Sequence, residues 1–203
     1  MNKNILGLLV FLIPAVFSSA WADESKKEAR PIPEAQSFTS EHKGRFNGTA
    51  INYKVTAGET YLYDEDDEAI ASIWSISYIA DAKGDSSNHP VTFVFNGGPG
   101  SASLWLHMGV FGPKRINLPS DAMDDGAPPY DIITHDQSPL DVTDLVFIDP
   151  VGTGYSRPLG KSDGKEFWGV KQDADSIAEF VRIWITKNKR WNSPKSVSYT
   201  HLT

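Results

Sequence analysis

Cysteine is absent from this chain of 203 residues. Disulfide bonds, a cysteine nucleophile and thiolate metal ligands are therefore excluded. Basic blocks are also missing, since 19 Lys and Arg stand against 26 Asp and Glu for a formal net charge of −7. Such a chain offers no surface that would follow a phosphate backbone, so we predict no nucleic-acid partner. The composition, 40% apolar and 22% charged, is typical of a soluble globular protein.

Long apolar runs are confined to the first residues. Lys3 supplies a positive charge, residues 5–17 form an apolar core, and residues 20–22 (Ala-Trp-Ala) offer a cleavage site. The core is shorter than the ~20 residues that a bilayer-spanning helix needs. We therefore expect residues 1–22 to be a signal peptide, and the protein to be exported, periplasmic or secreted, with no stable membrane anchor after cleavage. An exported chain without cysteine is typical of a bacterial enzyme.

The rest of the chain predicts an α/β sheet. Residues 23–49 are expected to be a loose polar lead-in, because they are rich in charged residues and contain two prolines. Apolar segments alternate with loops, and one amphipathic helix is expected at 173–187, with a stripe that includes Ile177 and Trp184. Strands are expected at 50–55, 59–63, 70–80, 91–95 and 145–148.

Residues 96–101 read Asn-Gly-Gly-Pro-Gly-Ser and directly follow the apolar strand at 91–95. Two successive glycines leave main-chain N–H groups accessible to a ligand, and the proline fixes the backbone that follows. A rigid N–H group aimed at developing negative charge is what acyl transfer needs as an oxyanion hole. The alternative is a tight turn at the end of a strand.

A second apolar strand ends in residues 149–156, Asp-Pro-Val-Gly-Thr-Gly-Tyr-Ser. Together the two loops resemble the serine carboxypeptidase family of α/β-hydrolases, whose loops read N-G-G-P-G-S and close to F-I-D-x-P-V-G-T-G-Y-S. This chain lacks one residue between Asp149 and Pro150, which we interpret as a subfamily difference. The resemblance covers about residues 50–195. It implies an α/β-hydrolase fold, a peptide or protein substrate cut near its C-terminus and, since cysteine is absent, a bacterial-type branch.

The resemblance also assigns roles to residues of the first loop. It implies that the backbone N–H of Gly98 contributes to an oxyanion hole. The Asn96 amide would bind the terminal carboxylate of the substrate, and Gly97 would let that carboxylate approach. For Asn96 the alternative is a side chain that bonds its own turn. Val110 stands where better-known members carry a glutamate, so the expected carboxylate-binding network is weakened.

Other patterns predict no metal and no cofactor. The five acids at 64–68 lack the alternation and glycine of a calcium loop, and are expected at a hairpin tip. Residues 154–162 have five residues between the glycines of a phosphate loop that requires four. Ser162 lies in a literal G-x-S-x-G, but no strand precedes it. The five histidines lack metal-ligand spacing and are expected on the surface or in loops.

The expected catalytic triad is missing. α/β-Hydrolases place the serine on a strand-to-helix elbow, followed in the chain by the acid and the histidine. By resemblance this elbow reads close to G-E-S-Y-G and follows a strand just after residue 195. Residues 196–203 contain no glycine, and their polar alternation fits a buried parallel strand poorly. We therefore interpret 50–195 as the N-terminal portion of an α/β-hydrolase domain, truncated before the elbow, and 196–203 as an atypical, foreign tail.

The sequence thus predicts an N-terminal fragment of an exported serine-type carboxypeptidase, with no nucleophile, acid or base in this chain. As written, the chain is expected to be inactive. Two alternatives stay open. One is a non-catalytic binding or pseudo-enzyme module that reuses the loop at 96–101. The other is a different acyl-transferring serine hydrolase, an esterase or acyltransferase, because fold and loop alone do not fix the acyl group.

Overall fold

A computed structural model describes residues 31–81, 86–97, 100–118 and 129–200. The expected signal peptide (1–22) lies outside these ranges, as do residues 23–30 of the expected lead-in and residues 201–203 of the expected tail. The helices are α1 (Leu104–Leu106), which continues as a π-helical turn (His107–Phe111), and α2 (Val170–Lys187). The strands are β1 (Ser37–Phe46), β2 (Thr49–Tyr63), β3 (Ala69–Ala80), β4 (Val91–Asn96), β5 (Lys114–Ile116), β6 (Ile132–Thr134), β7 (Asp144–Ile148), β8 (Arg157–Pro158) and β9 (Lys195–Thr200).

One mixed sheet organises the described residues. Its strand order is β1-β2-β3-β7-β4-β9, with the short β8 paired to β3. Strands β1, β2, β3 and β7 are antiparallel neighbours, whereas β4 runs parallel to both β7 and β9. Strands β5 and β6 form a separate antiparallel pair. The predicted α/β class is confirmed. Among the described residues, no helix combines the length and apolarity needed to cross a bilayer.

The expected loose lead-in is wrong for residues 37–46, which form β1. This strand pairs along its whole length with β2, from Ser37 opposite Gly58 to Phe46 opposite Thr49. Nearly all of β1 is solvent-exposed, so it lacks the apolar alternation that marks a half-buried strand. The turn at Asn47 and Gly48, both with positive φ, closes the hairpin. Strand β2 likewise runs unbroken through the gap expected at 56–58.

Residues of the expected tail form β9 at one edge of the sheet. It pairs with β4 from Val91 opposite Lys195 to Asn96 opposite Thr200. Its side chains are largely exposed, with Val197 at 62% and Tyr199 at 44%. The polar residues of this segment are therefore explained by its position in the described sheet, where β9 is the outermost strand and is exposed to solvent. That the segment is foreign to the protein stays a prediction.

Helix α2 packs on one face of the sheet, as its apolar stripe predicts. It begins three residues before the expected start at 173, after Gly169, whose φ is +126°. The Trp184 ring meets Phe93 of β4 edge-on at 5.4 Å, and its indole N–H donates to Ser77 Oγ at 3.0 Å. The opposite face of the sheet is covered by a second apolar cluster, made of Phe46, Tyr53, Tyr78, Val94, Leu106, Leu140, Leu145 and Phe147.

A buried ion pair lies at the amino ends of β4 and β7. Arg190 Nη1 donates to Asp144 Oδ2 at 2.6 Å, and the two side chains are 3% and 1% exposed. Arg190 also donates to the His89 carbonyl at 2.5 Å and to Ser193 Oγ at 2.7 Å. Asp144 Oδ1 accepts the Ala80 N–H at 2.8 Å. This network ties β3, β7 and the segment after α2 together at the end of the sheet remote from the glycine-rich loop.

Candidate active site

Both motif loops follow the carboxyl ends of neighbouring strands and so lie at the same end of the sheet. Strands β4 and β7 are adjacent and parallel, with Val94 opposite Phe147, so their carboxyl ends meet. The loop at 96–101 follows β4, and the loop at 149–156 follows β7. Ligands of open α/β sheets bind at the carboxyl ends of the strands. The fold therefore brings the two predicted loops to the place where such a sheet holds its site.

Asn96 is the last residue of β4, and only 4% of it is exposed. Its Nδ2 donates to Ser101 Oγ at 3.3 Å, so the side chain does bond its own turn. Within the described part of the chain, its Oδ1 is buried and has no hydrogen-bond partner. A buried carbonyl without a donor costs about 1–3 kcal/mol. Among the described residues, local bonding therefore leaves the amide oxygen without a hydrogen bond, and a ligand is one group that could supply it.

The glycines of the loop are only partly described. Gly97 is buried directly after β4. Gly100 has a φ of +110°, with open space where a Cβ would stand, so this position favours glycine for its backbone conformation. Gly98, the oxyanion-hole candidate, lies outside the described residues. Its role stays a prediction, as do the roles of Asn96 and Gly97 in substrate binding.

Asp149 connects the two loops, a contact that sequence reasoning missed. This residue follows β7 and is 8% exposed. Its Oδ1 accepts two hydrogen bonds from Ser103, one from the backbone N–H and one from Oγ, both at 2.9 Å. Ser156 Oγ donates to the Asp149 carbonyl at 2.6 Å and accepts the Trp74 N–H at 2.8 Å. The sequence shows Asp149 as part of the second motif, but it does not show that the carboxylate bonds Ser103, which lies 46 residues away.

His107 follows α1 and corrects the expectation that the histidines are at the surface or in loops. It is 7% exposed and stacks on Phe147 with ring centroids 4.3 Å apart. Its Nε2 lies 2.7 Å from the Tyr78 hydroxyl. Burial lowers the pKa of His107 from 6.5 to about 4 and raises the pKa of Tyr78. The residue opens a short π-helical turn, whose irregular spacing hides it from a 3.6-residue pattern.

This burial predicts a pH-dependent stability. Native His107 stays neutral between pH 6.5 and about 4, whereas the unfolded imidazole takes up a proton there. The free energy of unfolding is therefore highest above pH 6.5, where His107 is neutral in both states. It falls as the pH drops towards 4, by about 3 kcal/mol in the limit. Urea unfolding across this window measures the slope. His107→Gln should flatten it, and an unchanged slope in that variant would contradict the assignment.

The remaining candidates lie away from the two loops. Ser162 sits in a turn, with its N–H bonded to the Leu159 carbonyl at 3.0 Å, and the strand before it is the two-residue β8, not the longer apolar strand of a nucleophile elbow. Asp64 of the acidic run caps its own hairpin turn by accepting the N–H groups of Asp66 and Glu68. Val110 is half-exposed on the π-helical turn. Over the described ranges, no three His, Asp or Glu side chains are arranged to hold a metal ion.

The family model for serine carboxypeptidases matches residues 74–197, which is more than half of the chain and includes both loops. The chain therefore belongs to the serine carboxypeptidase family. Among solved structures, it is similar to a prohormone-processing carboxypeptidase from Saccharomyces cerevisiae, with 22% sequence identity and a TM-score of 0.57. The match covers 72% of this chain and 31% of that one, so the chain spans about a third of the yeast enzyme. No curated protein matches it significantly.

Proposed function

We propose that these residues are the N-terminal part of an exported serine-type carboxypeptidase of the bacterial-type branch. The enzyme would hydrolyse C-terminal peptide bonds through an acyl-enzyme. The observation that carries the proposal is Asn96, which ends β4 in the family's own loop. At the carboxyl end of this strand it keeps a buried amide oxygen that has no hydrogen-bond partner among the described residues. A substrate that brings a donor and a carboxylate would complete the bonding of this side chain.

The nucleophile, acid and base would come from sequence that follows these residues. Two observations support this. The chain spans 31% of the yeast carboxypeptidase to which it is similar. Strand β9 occupies a position parallel to β4 with Thr200 opposite Asn96, so a nucleophile elbow after a native strand in this position would emerge beside the loop at 96–101. The 203 residues alone would then be inactive.

Each loop residue has a defined part in this reaction. The serine would attack the scissile carbonyl, and the backbone N–H of Gly98 would stabilise the oxyanion of the tetrahedral intermediate. Asn96 and Gly97 would hold the terminal carboxylate of the peptide. Val110 supplies no carboxyl group at the position where the family's better-known members have a glutamate. We therefore expect a weaker requirement for a free C-terminus than in those members.

A second candidate is a non-catalytic binding module. The exposed edge of β9 favours it. Among the described residues β9 pairs with β4 on one side and leaves 62% of Val197 in solvent, and an edge strand of this kind invites pairing with another chain. The two candidates differ in one respect that can be measured. A stable, monomeric 203-residue chain that melts cooperatively would support the module, whereas a chain that aggregates on its own would support the enzyme part.

The activity is tested with the product of the complete gene and with the 203-residue chain as its matched control. The substrate is an N-blocked dipeptide with a free C-terminal carboxylate, compared with its amide and its methyl ester. We expect the complete product to release the C-terminal amino acid, to cut the amide more slowly, and the control to release none. Turnover of the ester alone would instead indicate an esterase and contradict the proposal.

A further inference from the structure

Asp149 has no part in the chemistry proposed above, yet it is the point where the two loops meet. Its carboxylate oxygen Oδ1 accepts both the N–H and the hydroxyl of Ser103. Ser103 lies just past the glycine-rich loop and precedes α1. One oxygen of the second loop therefore holds the point where the first loop rejoins the helix. Hydrogen bonds to an ionised acceptor are shorter and stronger than neutral ones.

Asp149 is itself held on its other sides. Its N–H donates to the Trp74 carbonyl at 3.0 Å, and its carbonyl accepts from Ser156 Oγ at 2.6 Å. The backbone of Gly154 lies against the second carboxylate oxygen, because a Cβ at that position would stand 1.9 Å from Oδ2 and 2.5 Å from Cγ. The carboxylate is thus clamped between Gly154 and Ser103. Any side chain at position 154 would displace it.

We propose that Asp149 is a positioning residue that fixes the C-terminal end of the loop at 96–101 through Ser103, with Gly154 as the backing that sets its orientation. That the positioned loop is an oxyanion hole rests on the proposed function. Asp144, at the other end of the same strand, is an example of a carboxylate that acts on stability alone. It pairs with Arg190 and bonds to no described residue of the loop at 96–101.

The test measures amide hydrogen exchange and amide proton shifts in the ¹⁵N-labelled product of the complete gene, and needs no activity. In Asp149→Ala, we expect exchange at residues 100–107 to rise about tenfold or more, since a bond to a charged acceptor is lost. Core amides of β4 and β7 should keep their protection. The Ser103 amide proton should also move upfield, because it no longer donates to a carboxylate.

Gly154→Ala should reproduce both effects with Asp149 intact, because the new methyl group pushes the carboxylate away. Gly152→Ala is the matched control. Gly152 has the same left-handed backbone, with a φ of +86°, but a Cβ there would meet only Trp168 Nε1 at 3.7 Å. Its strain should leave the exchange of 100–107 and the Ser103 shift unchanged. An equal response of the two glycine variants would overturn the proposal.

Two further variants keep the proposal testable if Asp149→Ala does not fold. Asp149→Asn retains an acceptor and should restore most of the protection, while Ser103→Ala loses one of the two bonds and should raise exchange about threefold. Exchange in Ser103→Ala that equals the wild type would overturn the positioning role, because the loss of a bond to Asp149 would then leave the loop unchanged. A uniform rise over the whole sheet would reduce Asp149 to a stability residue. Since none of these readouts involves turnover, a failed peptidase assay leaves the result unaffected.

Discussion

Arg190→Met is expected to lower the free energy of unfolding by about 3–5 kcal/mol, because it leaves a buried carboxylate without its cation. Asp144 is 1% exposed, and its Oδ2 receives a 2.6 Å bond from Arg190. Among the described residues, the Ala80 N–H would still bond the other oxygen, and His89 Nδ1 lies 3.6 Å from Oδ2. The change also removes the donors that Arg190 supplies to the His89 carbonyl and Ser193 Oγ.

Urea unfolding of the complete gene product measures this loss. Arg182→Met is the matched control, since Arg182 pairs with Glu179 on the exposed side of α2, and its removal should barely move the midpoint. The double variant Asp144→Asn/Arg190→Met should recover part of the loss, because no uncompensated charge remains. A midpoint for Arg190→Met equal to that of the control would show that the pair contributes nothing.

The second large effect is expected at Asn96. In the complete gene product, Asn96→Leu should raise KM for a peptide with a free carboxylate about tenfold to a hundredfold, because one bond to a charged group is lost. Stability should hold or rise, since the wild-type amide oxygen is buried and no described residue donates to it. The variant would thus separate binding from folding at a residue that is 4% exposed.

Steady-state kinetics and urea unfolding of the same preparation test this separation. The methyl ester of the peptide serves as the control substrate, because it offers no free carboxylate to Asn96. Its KM should be unchanged by the substitution. An equal rise in KM for both substrates would mean that Asn96 shapes the loop and does not bind the carboxylate. A large loss of stability would point to the bond with Ser101 as its main role.

Local patterns predicted the parts of the fold that local chemistry decides. The loops at 96–101 and 149–156 and the apolar face of α2 are written in consecutive or helically spaced residues. Strand β1 escaped prediction, because an exposed edge strand has no buried face to impose alternation. His107 was misplaced, since eight residues of α-helical and π-helical turn give no clear period.

Long-range polar pairs could not be predicted from one sequence. Asp149 meets Ser103 and Arg190 meets Asp144 across 46 residues in each case. The parallel pairing of β4 with β7 brings the first pair together, and the segment after α2 carries Arg190 to the start of β7. Gly154 is a local sign of the contact at Asp149. Its place in the motif is visible in the sequence, but the Asp149 carboxylate that leaves no room for a side chain there is not.

The proposed function requires a catalytic serine in sequence that follows the two loops. The direct measurement labels the complete gene product with a fluorophosphonate and maps the modified residue by mass spectrometry. We expect one labelled serine, within a G-x-S-x-G sequence beyond Thr203, and no label on the serines of residues 31–200. A labelled serine inside that range, Ser162 included, or a complete product that takes up no label, would contradict the account.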